Sequence, residues 1–377
     1  MDKSLLQHLT DLVESTVDPW RRCLAQIDLG VSLAQMGRLE EADQLLDDLR
    51  SVTKDRSSER HDVMVGVVIL GGVIDYYKNV NVQSLDRMRR AHALAQALGL
   101  KNQSTQASVW LMLFAYNFDN YSVLKTSGEA TFAAFSDLSR SLQARACLVV
   151  ADAAQLTGLF EDCVRWYSYA RHFARDVHDH ATIVAIENNR LSMGQARLRI
   201  ERILGLSPQP LSLHRRWALE VESVKLLHYG LGASALEEIL LWSQAQLHQM
   251  NGQFRDASSL VYEIRRRNAA QRCGTTNELL ELEVLWCQAM AGDTVDVTAC
   301  SVANLDVVER LSLDDQLVAA YFLKDIIRLT HCAIDDARLN AVMDRASNYC
   351  RQTLEATQEA LIGIFPIVVD VRSGEIR

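Results

Sequence analysis

Proline is scarce in this chain, at 4 of 377 residues. A sandwich or barrel of short strands needs frequent turn residues, so the shortage of proline disfavours an all-β fold. Apolar residues make up 49% of the sequence, which is too many for a mainly disordered chain. Length alone allows two or three globular domains or one continuous array.

The sequence also lacks a long apolar run. A membrane-spanning helix needs about 18 consecutive apolar residues, and the nearest candidate, residues 63–74, is shorter and contains three glycines. The N-terminus has no apolar stretch of the signal-peptide kind, because charges interrupt its amphipathic pattern. We therefore expect a cytoplasmic protein with no membrane partner.

No excess of basic charge is present. The chain carries 39 basic and 48 acidic residues, a formal net charge of -9, whereas a protein that coats duplex DNA normally presents a basic surface. The two short arginine runs, at 87–90 and 265–267, lie in amphipathic helical patterns typical of solvated helix faces. Nucleic acid is therefore disfavoured as a partner.

Common cofactor and metal motifs are missing as well. None of the 8 cysteines forms a Cys-x-x-Cys pair, and most lie among apolar residues, as buried free thiols in a reducing compartment do. There is no phosphate-binding Gly-x-x-x-x-Gly-Lys loop and no Gly-x-Ser-x-Gly elbow. Gly71 and Gly72 lie inside an apolar helical pattern, where they predict close helix packing. We expect no cofactor.

What the chain does contain is helical periodicity with a recurring turn. Between residues 23 and 50, apolar residues recur every three or four positions on both sides of Gly37. Small residues at Gly30 and Ala42 would allow two antiparallel helices to approach closely, and Gly37 suits the tight turn between them. The same arrangement returns around Gly158 and Gly252.

These segments resemble the tetratricopeptide repeat, a helix-turn-helix unit of about 34 residues. The resemblance rests on a small residue in the first helix, the turn glycine, Leu or Phe two residues later and a small residue three beyond that. Gly37 and Gly158 lie 121 residues apart, close to three steps of about 40, which predicts further turns near Asn79 and Phe118. Such long repeats resemble those of bacterial signalling and transcription regulators.

The resemblance implies an all-α, right-handed superhelix of about seven to nine helical hairpins. We predict an N-terminal array over 1–204 with a capping helix at 3–16, a proline-containing joint at 205–212 and further helical repeats over 213–365. The helical pattern allows a break at Gly194. Residues 336–364 are expected to form either one long helix or two short ones. Residues 366–377, rich in β-branched side chains, form a strand, an ordered tail or the start of a further element.

The densest polar cluster runs from His172 to His180. His172 and Asp176 are four residues apart and share a helix face, which with a third ligand would suit a metal. The alternative is a helix end, with Asp179 capping the next helix, and we favour it. His331 and Cys332 are adjacent, so their side chains diverge on a helix and make a poor catalytic pair.

In the repeat family, the first helix of each hairpin faces a concave groove, and its positions can be carried onto this chain residue by residue. They give Arg145, Leu148, Asp152 and Gln155 in the second clear repeat and Trp242, Gln246 and Gln249 in the third. Tyr116, Asn117, Asn188 and Asn189 extend the row, unless they cap helices or face solvent. The matching positions of the first repeat, Leu24 to Gln35, are mostly apolar and are expected to pack against the N-terminal helix.

Amide, charged and aromatic groups together suit an extended peptide. We therefore expect a non-enzymatic binding or regulatory protein, in bacterial signalling, that recognises a peptide, a protein segment or a small effector in this groove. A homodimer is allowed. One alternative is the sensory domain of a larger protein, such as a diguanylate cyclase or a transcription regulator. Another is a helical enzyme with a metal site near His172 and His178.

Overall fold

The chain is all-helical, as predicted. The structure, a computed structural model, describes residues 3–54, 60–205, 211–231, 237–267, 270–273, 275–295, 305–330 and 335–376. Within them lie seventeen α-helices, two short 3-10 turns (Phe135–Asp137 and Ala270–Cys273) and one two-stranded hairpin. Consecutive helices pack against each other, the arrangement of a helical-repeat solenoid.

The helices are α1 Leu5–Ser15, α2 Pro19–Gln35, α3 Leu39–Lys54, α4 His61–Asn79, α5 Val82–Ala97, α6 Lys101–Asn117, α7 Tyr121–Ala133, α8 Arg140–Thr157, α9 Phe160–Asp176, α10 His180–Ile203, α11 Leu211–Leu231, α12 Glu237–Met250, α13 Phe254–Arg266, α14 Asn277–Met290, α15 Leu305–Val308, α16 Leu313–Thr330 and α17 Asp336–Leu361. The strands are β1 Val369–Asp370 and β2 Glu375–Ile376, paired antiparallel.

The predicted turns lie where the spacing placed them. Gly37, Gly158 and Gly252 all have φ between 75° and 83°, a left-handed conformation that glycine adopts without steric cost. The turns expected near Asn79 and Phe118 are present too, but there Val80 and Asp119 take the left-handed position, with φ of 44° and 51°. Because neither turn contains a glycine at the left-handed position, a search for turn glycines alone does not find these two turns.

Polar side chains start several of the helices. Asp18 accepts a hydrogen bond from the backbone N–H of Arg21 at 2.7 Å, directly before Pro19 at the first helical position of α2. Asn120 accepts from the N–H of Val123 at 3.3 Å at the start of α7. These caps satisfy backbone donors that a helix leaves without an internal partner.

The contacts divide the chain into two compact units. Unit 1 consists of residues 1–186 and 356–377, and unit 2 of residues 187–355. Unit 1 has one large core that includes the fully buried Trp110, Phe114 and Trp166. Unit 2 has several smaller clusters, the largest built around Trp286, whose ring stacks on Phe322 at 4.4 Å between centroids.

Small residues allow close helix approach in unit 1. A Cβ on Gly30 of α2 would lie 2.9 Å from the Leu70 side chain of α4, and one on Gly72 would lie 3.2 Å from Met88 of α5. Gly30 was expected to accommodate the helix that follows it, yet it makes room for the first helix of the next hairpin. The prediction of close packing at Gly71 and Gly72 is confirmed.

Some expectations are revised and others lie outside the described residues. Helix α10 continues through Gly194, so the allowed break is absent there, and α17 is one long helix. The last residues form an ordered hairpin that packs on unit 1. The six described cysteines, at 23, 147, 163, 273, 287 and 350, are buried free thiols. Pro208 and Pro210 of the predicted joint, Cys300 and the His331–Cys332 pair lie outside the described residues.

Candidate functional site

Arg145 on α8 is the point where the first helices of unit 1 meet. Its guanidinium donates to Tyr77 Oη on α4 at 3.3 Å and to Thr182 Oγ1 on α10 at 3.2 Å. With the Gln35 amide oxygen turned toward it, Arg145 also donates to α2, from Nε at 3.0 Å and Nη2 at 2.9 Å. The ring of Trp110 on α6 lies 4.9 Å from the guanidinium carbon. We call this side of the unit, where α2, α4, α6, α8 and the start of α10 converge, the inner face of unit 1.

The Arg145 side chain is 4% exposed, yet its direct partners in the described part of the chain are neutral oxygens and an aromatic ring. Buried charges normally pair with an opposite charge. Here the nearest such partner in the network is one step away, because Thr182 Oγ1 donates to Asp179 Oδ2 at 2.8 Å. Asp179 is buried, and it also accepts from the backbone N–H of Thr182 at 3.0 Å. The expected role of Asp179 as a cap of α10 is therefore confirmed.

The inner face of unit 1 is closed at the level of Arg145. Gln35 of the first hairpin contacts Arg145 of the fourth, so Gln35 does not simply pack against the N-terminal helix. The backbone N–H of Leu5 in α1 donates to the carbonyl of His178, just before α10, at 3.1 Å. This contact joins the two ends of the stack that forms unit 1.

Below the Arg145 network, three more of the predicted groove residues are buried. The Tyr167 hydroxyl of α9 lies 2.7 Å from both Asp152 Oδ1 and Gln155 Oε1 of α8, and it can donate its single proton to either of them. Leu148 is part of the apolar core. Burial raises the pKa of Tyr116 and of Tyr167 well above the ordinary value, so both phenols stay neutral donors at physiological pH. The predicted groove residues of α8 therefore lie together, but inside the unit.

Asp28 is an accessible acid on the same face. It lies two helical turns before Gln35 on α2 and is exposed to solvent, about 10 Å along the axis from the Arg145 network at 1.5 Å per residue. Loss of hydration raises the pKa of Asp28 to about 6, and the Gln106 side chain of α6 opposes that rise by hydrogen-bonding to the carboxylate. Neighbouring protein therefore removes part of the hydration of the carboxylate while the side chain stays accessible, and we call this place the Asp28 recess. No cation in the described residues forms an ion pair with Asp28.

Unit 2 has a second arginine-centred cluster on its own first helices. Arg199 of α10 lies 5.8 Å from the ring centroid of Trp242 on α12 and 5.1 Å from that of Phe322 on α16. Its Nη2 is 3.3 Å from Glu283 Oε1 on α14, and Gln249 Nε2 donates to the same oxygen at 2.7 Å. We call the side where these helices meet the inner face of unit 2.

Three polar atoms of this cluster have unused hydrogen-bonding capacity. Among the residues that the structure describes, Arg199 Nη2, Trp242 Nε1 and the buried Glu283 Oε2 have no hydrogen-bond partner. Leaving a buried polar atom unpaired costs about 1–3 kcal/mol. N–H donors and a carboxylate acceptor thus lie without hydrogen-bond partners on the face that the repeat pattern assigns to ligand binding, but they are shielded from solvent.

The remaining predicted residues are dispersed. Asn117 is exposed, and its amide donates back to the Leu113 carbonyl of its own helix at 2.9 Å. Asn188 and Gln246 are buried in unit 2, and Asn189 is partly buried. The prediction missed Asp28 and Gln106 in unit 1 and Arg199 and Glu283 in unit 2. Only Asp28 carried a sequence signal, as a single charged residue within an apolar helical run.

The His172 cluster forms a helix end. His172 Nε2 is 3.6 Å from Asp176 Oδ1, and both side chains are partly exposed. Within the described ranges, no group of three or more His, Cys, Asp or Glu side chains is placed to hold a metal ion. The same residues include no helix that is both long and apolar enough to cross a bilayer.

Comparison of the chain with protein-family models and with curated proteins gives no match. The helices and their contacts define an all-α helical-repeat protein.

Proposed function

We propose that the chain is a non-enzymatic binding protein of the tetratricopeptide-like kind, which recognises a peptide or protein segment on the inner faces of its helical units. The observation that carries this proposal is the accessible Asp28 carboxylate on the inner face of unit 1. A peptide backbone offers N–H donors to such a group. In unit 2, Trp242 Nε1 and Glu283 Oε2 lack hydrogen-bond partners among the described residues but are shielded from solvent, so a ligand would reach them only if the helices moved apart. A role in bacterial signalling, in the cytoplasm, fits the long-repeat resemblance and belongs to the same proposal.

Because the predicted groove residues of α8 are buried, fewer residues of unit 1 are accessible to a ligand. Asp152 and Gln155 are engaged with Tyr167, and Arg145 is surrounded by four helices, so a ligand does not reach them without opening the unit. The recess at Asp28 and Gln106 is the accessible part of the same face. We therefore assign ligand contact in unit 1 to this recess.

The test compares three forms of the chain as bait in a lysate of the native organism. The Asp28→Lys variant reverses the charge in the recess, and Asp48→Lys makes the same change on the exposed side of α3 as a matched control. We expect proteins retained by the unaltered chain and by Asp48→Lys to be lost with Asp28→Lys, at equal helicity. Equal capture by all three forms would contradict the assignment.

The Asp28 recess also bears on the alternative of a small effector. Because no cation of the described residues pairs with the Asp28 carboxylate, it favours a ligand group that carries a positive charge or an N–H donor. Isothermal titration of a purified partner segment with and without a basic residue would show this preference as a loss of affinity when the basic residue is removed.

A further inference from the structure

The final segment of the chain is held on unit 1 in the way that a protein holds a bound peptide. We call residues 361–376 the tail. After α17 ends at Leu361, the tail turns across α7, the Phe135–Asp137 turn, α8 and α9 and ends in the β1–β2 hairpin. Its buried anchors are Leu361, Ile364, Phe365 and Val369, all part of the unit 1 core.

Side chains of unit 1 bind the main chain of the tail. Trp166 Nε1 donates to the Phe365 carbonyl at 3.1 Å, and Arg165 Nη2 donates to the same oxygen at 2.5 Å. Arg140 Nη2 donates to the Arg372 carbonyl at 2.8 Å, and Gln143 Nε2 to the Gly374 carbonyl at 3.4 Å. Contacts to backbone carbonyls together with a few apolar anchors are how peptide-recognition surfaces combine affinity with specificity.

The surface is shaped to receive this segment. Gly128 of α7 leaves the space that Ile364 fills, since a Cβ at that position would lie 2.9 Å from Ile364 Cδ1. In the tail, the absence of a side chain at Gly374 leaves room for Gln143, because a Cβ at that position would lie 2.6 Å from Gln143 Nε2. The fit is therefore specific on both sides of the contact.

From these contacts we propose that the surface formed by Gly128, Arg140, Gln143, Arg165 and Trp166 is a peptide-recognition site, and that the tail of a second copy of this chain can fill it. We call it the tail-binding surface. All the recognising groups lie on α7–α9, and none of the contacts requires the tail to belong to the same copy. If two copies exchange their tails, every contact of the tail is preserved and no new interface is needed. Domain swapping gives dimers at low energetic cost for this reason.

The chain's own tail competes with any tail supplied by another molecule. A tethered segment has an effective concentration of about 1 mM. For a free tail peptide that binds an empty surface with a Kd of about 10 µM, this competition would weaken apparent binding about 100-fold. Exchange is therefore favoured only when the tethered tail is weakened. This inference is independent of ligand recognition on the inner faces.

Two full-length variants test the proposal by complementation. The Ile364→Ala/Phe365→Ala variant keeps the tail-binding surface and weakens its own tail. The Gly128→Leu variant keeps a native tail and fills the space that Ile364 needs. We expect each variant alone to sediment as the same species as the unaltered chain, and an equimolar mixture to form a heterodimer in analytical ultracentrifugation.

A synthetic peptide of residues 361–377 provides the second measurement. We expect it to bind the Ile364→Ala/Phe365→Ala variant about 100-fold more tightly than the unaltered chain, and not to bind the Gly128→Leu variant. The peptide with alanine at both anchor positions is the matched control and should not bind. Equal affinity for all forms, or no binding to a variant that keeps its helical circular dichroism, would overturn the proposal. So would loss of that signal in both the double variant and the single Phe365→Ala variant, because the tail would then be an integral part of the fold.

Discussion

Replacement of Arg145 tests whether the geometry of its guanidinium, rather than its charge, holds the first helices of unit 1 together. Arg145→Lys keeps the positive charge, but a single ammonium cannot reach Gln35, Tyr77 and Thr182 at once as the planar guanidinium does. Arg145→Met keeps most of the volume and removes the charge. We expect the lysine variant to be the less stable of the two.

The magnitudes follow from what each variant leaves buried. Lysine leaves a poorly partnered charge in a nearly fully buried position, which costs about 3–5 kcal/mol when a buried ion loses its partners. Methionine leaves no charge. Thr182 still donates to Asp179, and Tyr77 and Gln35 are only partly buried and can bond to water. The methionine variant should therefore lose about 1–2 kcal/mol, the net value of one or two hydrogen bonds.

Urea unfolding followed by circular dichroism at 222 nm and by tryptophan fluorescence measures the difference. Arg89→Lys and Arg89→Met are the matched controls, because Arg89 is an exposed arginine of α5 that pairs with Asp86 at the surface. Both should stay within about 0.5 kcal/mol of the unaltered chain. A lysine variant as stable as the methionine variant, or more stable, would refute the argument from geometry.

Two further predictions concern the pH dependence of stability and the turns. Because the pKa of Asp28 is raised to about 6 from 3.8, the folded chain holds this proton to higher pH, and its contribution to stability falls as pH rises from about 4 to about 6. Asp28→Asn should remove that fall, which we put at no more than about 1 kcal/mol because the side chain is accessible and solvent-screened; an unchanged pH profile of the urea midpoint would contradict it. At the turns, Val80→Gly should stabilise the chain by about 1 kcal/mol, since a β-branched residue at φ 44° is strained, while Gly158→Val should destabilise it by more than that. Opposite signs in thermal melts are the expected result, and two changes of the same sign would show that φ does not control these turns.

The repeat could be predicted from the sequence because its determinants are local. A turn residue, the small residues beside it and the apolar spacing all lie within one hairpin, so Gly37 and Gly158 indicated the period, and the period located the turns at Asn79 and Phe118. Gly194 misled for the same reason. Glycine lowers helix propensity by about 1 kcal/mol, but the helix is held on either side of Gly194 by tertiary contacts: Leu191 is buried with Val221 and Val224, and Gln195 donates to the Ser243 carbonyl at 3.0 Å. The length of a helix is set by its neighbours as well as by its own residues.

The inner faces could not be predicted in this way, because they depend on residues far apart in the chain. Nothing near Arg145 indicates that Gln35, more than a hundred positions earlier, is its hydrogen-bond partner. The family pattern correctly placed Arg145, Asp152 and Gln155 on the first helix of a hairpin, but it assumed an open groove. Whether these side chains face a groove or a partner helix depends on how tightly the stack curves.

Arg145 and Arg199 have a common physical role at the places where the first helices of each unit meet. In each unit several first helices converge on one side, and a largely buried arginine side chain fills the space between them. Arginine is long enough to reach several helices, and its five donors and flat aromatic-stacking face can satisfy different partners in different directions. Arg145 does so with neutral oxygens and Trp110, whereas Arg199 does so with Glu283, Trp242 and Phe322. If these side chains set the spacing of the first helices, then the methionine variant of Arg145 should alter access to the neighbouring Asp28 recess as well as stability, which links the rigidity of the fold to the surface proposed for binding.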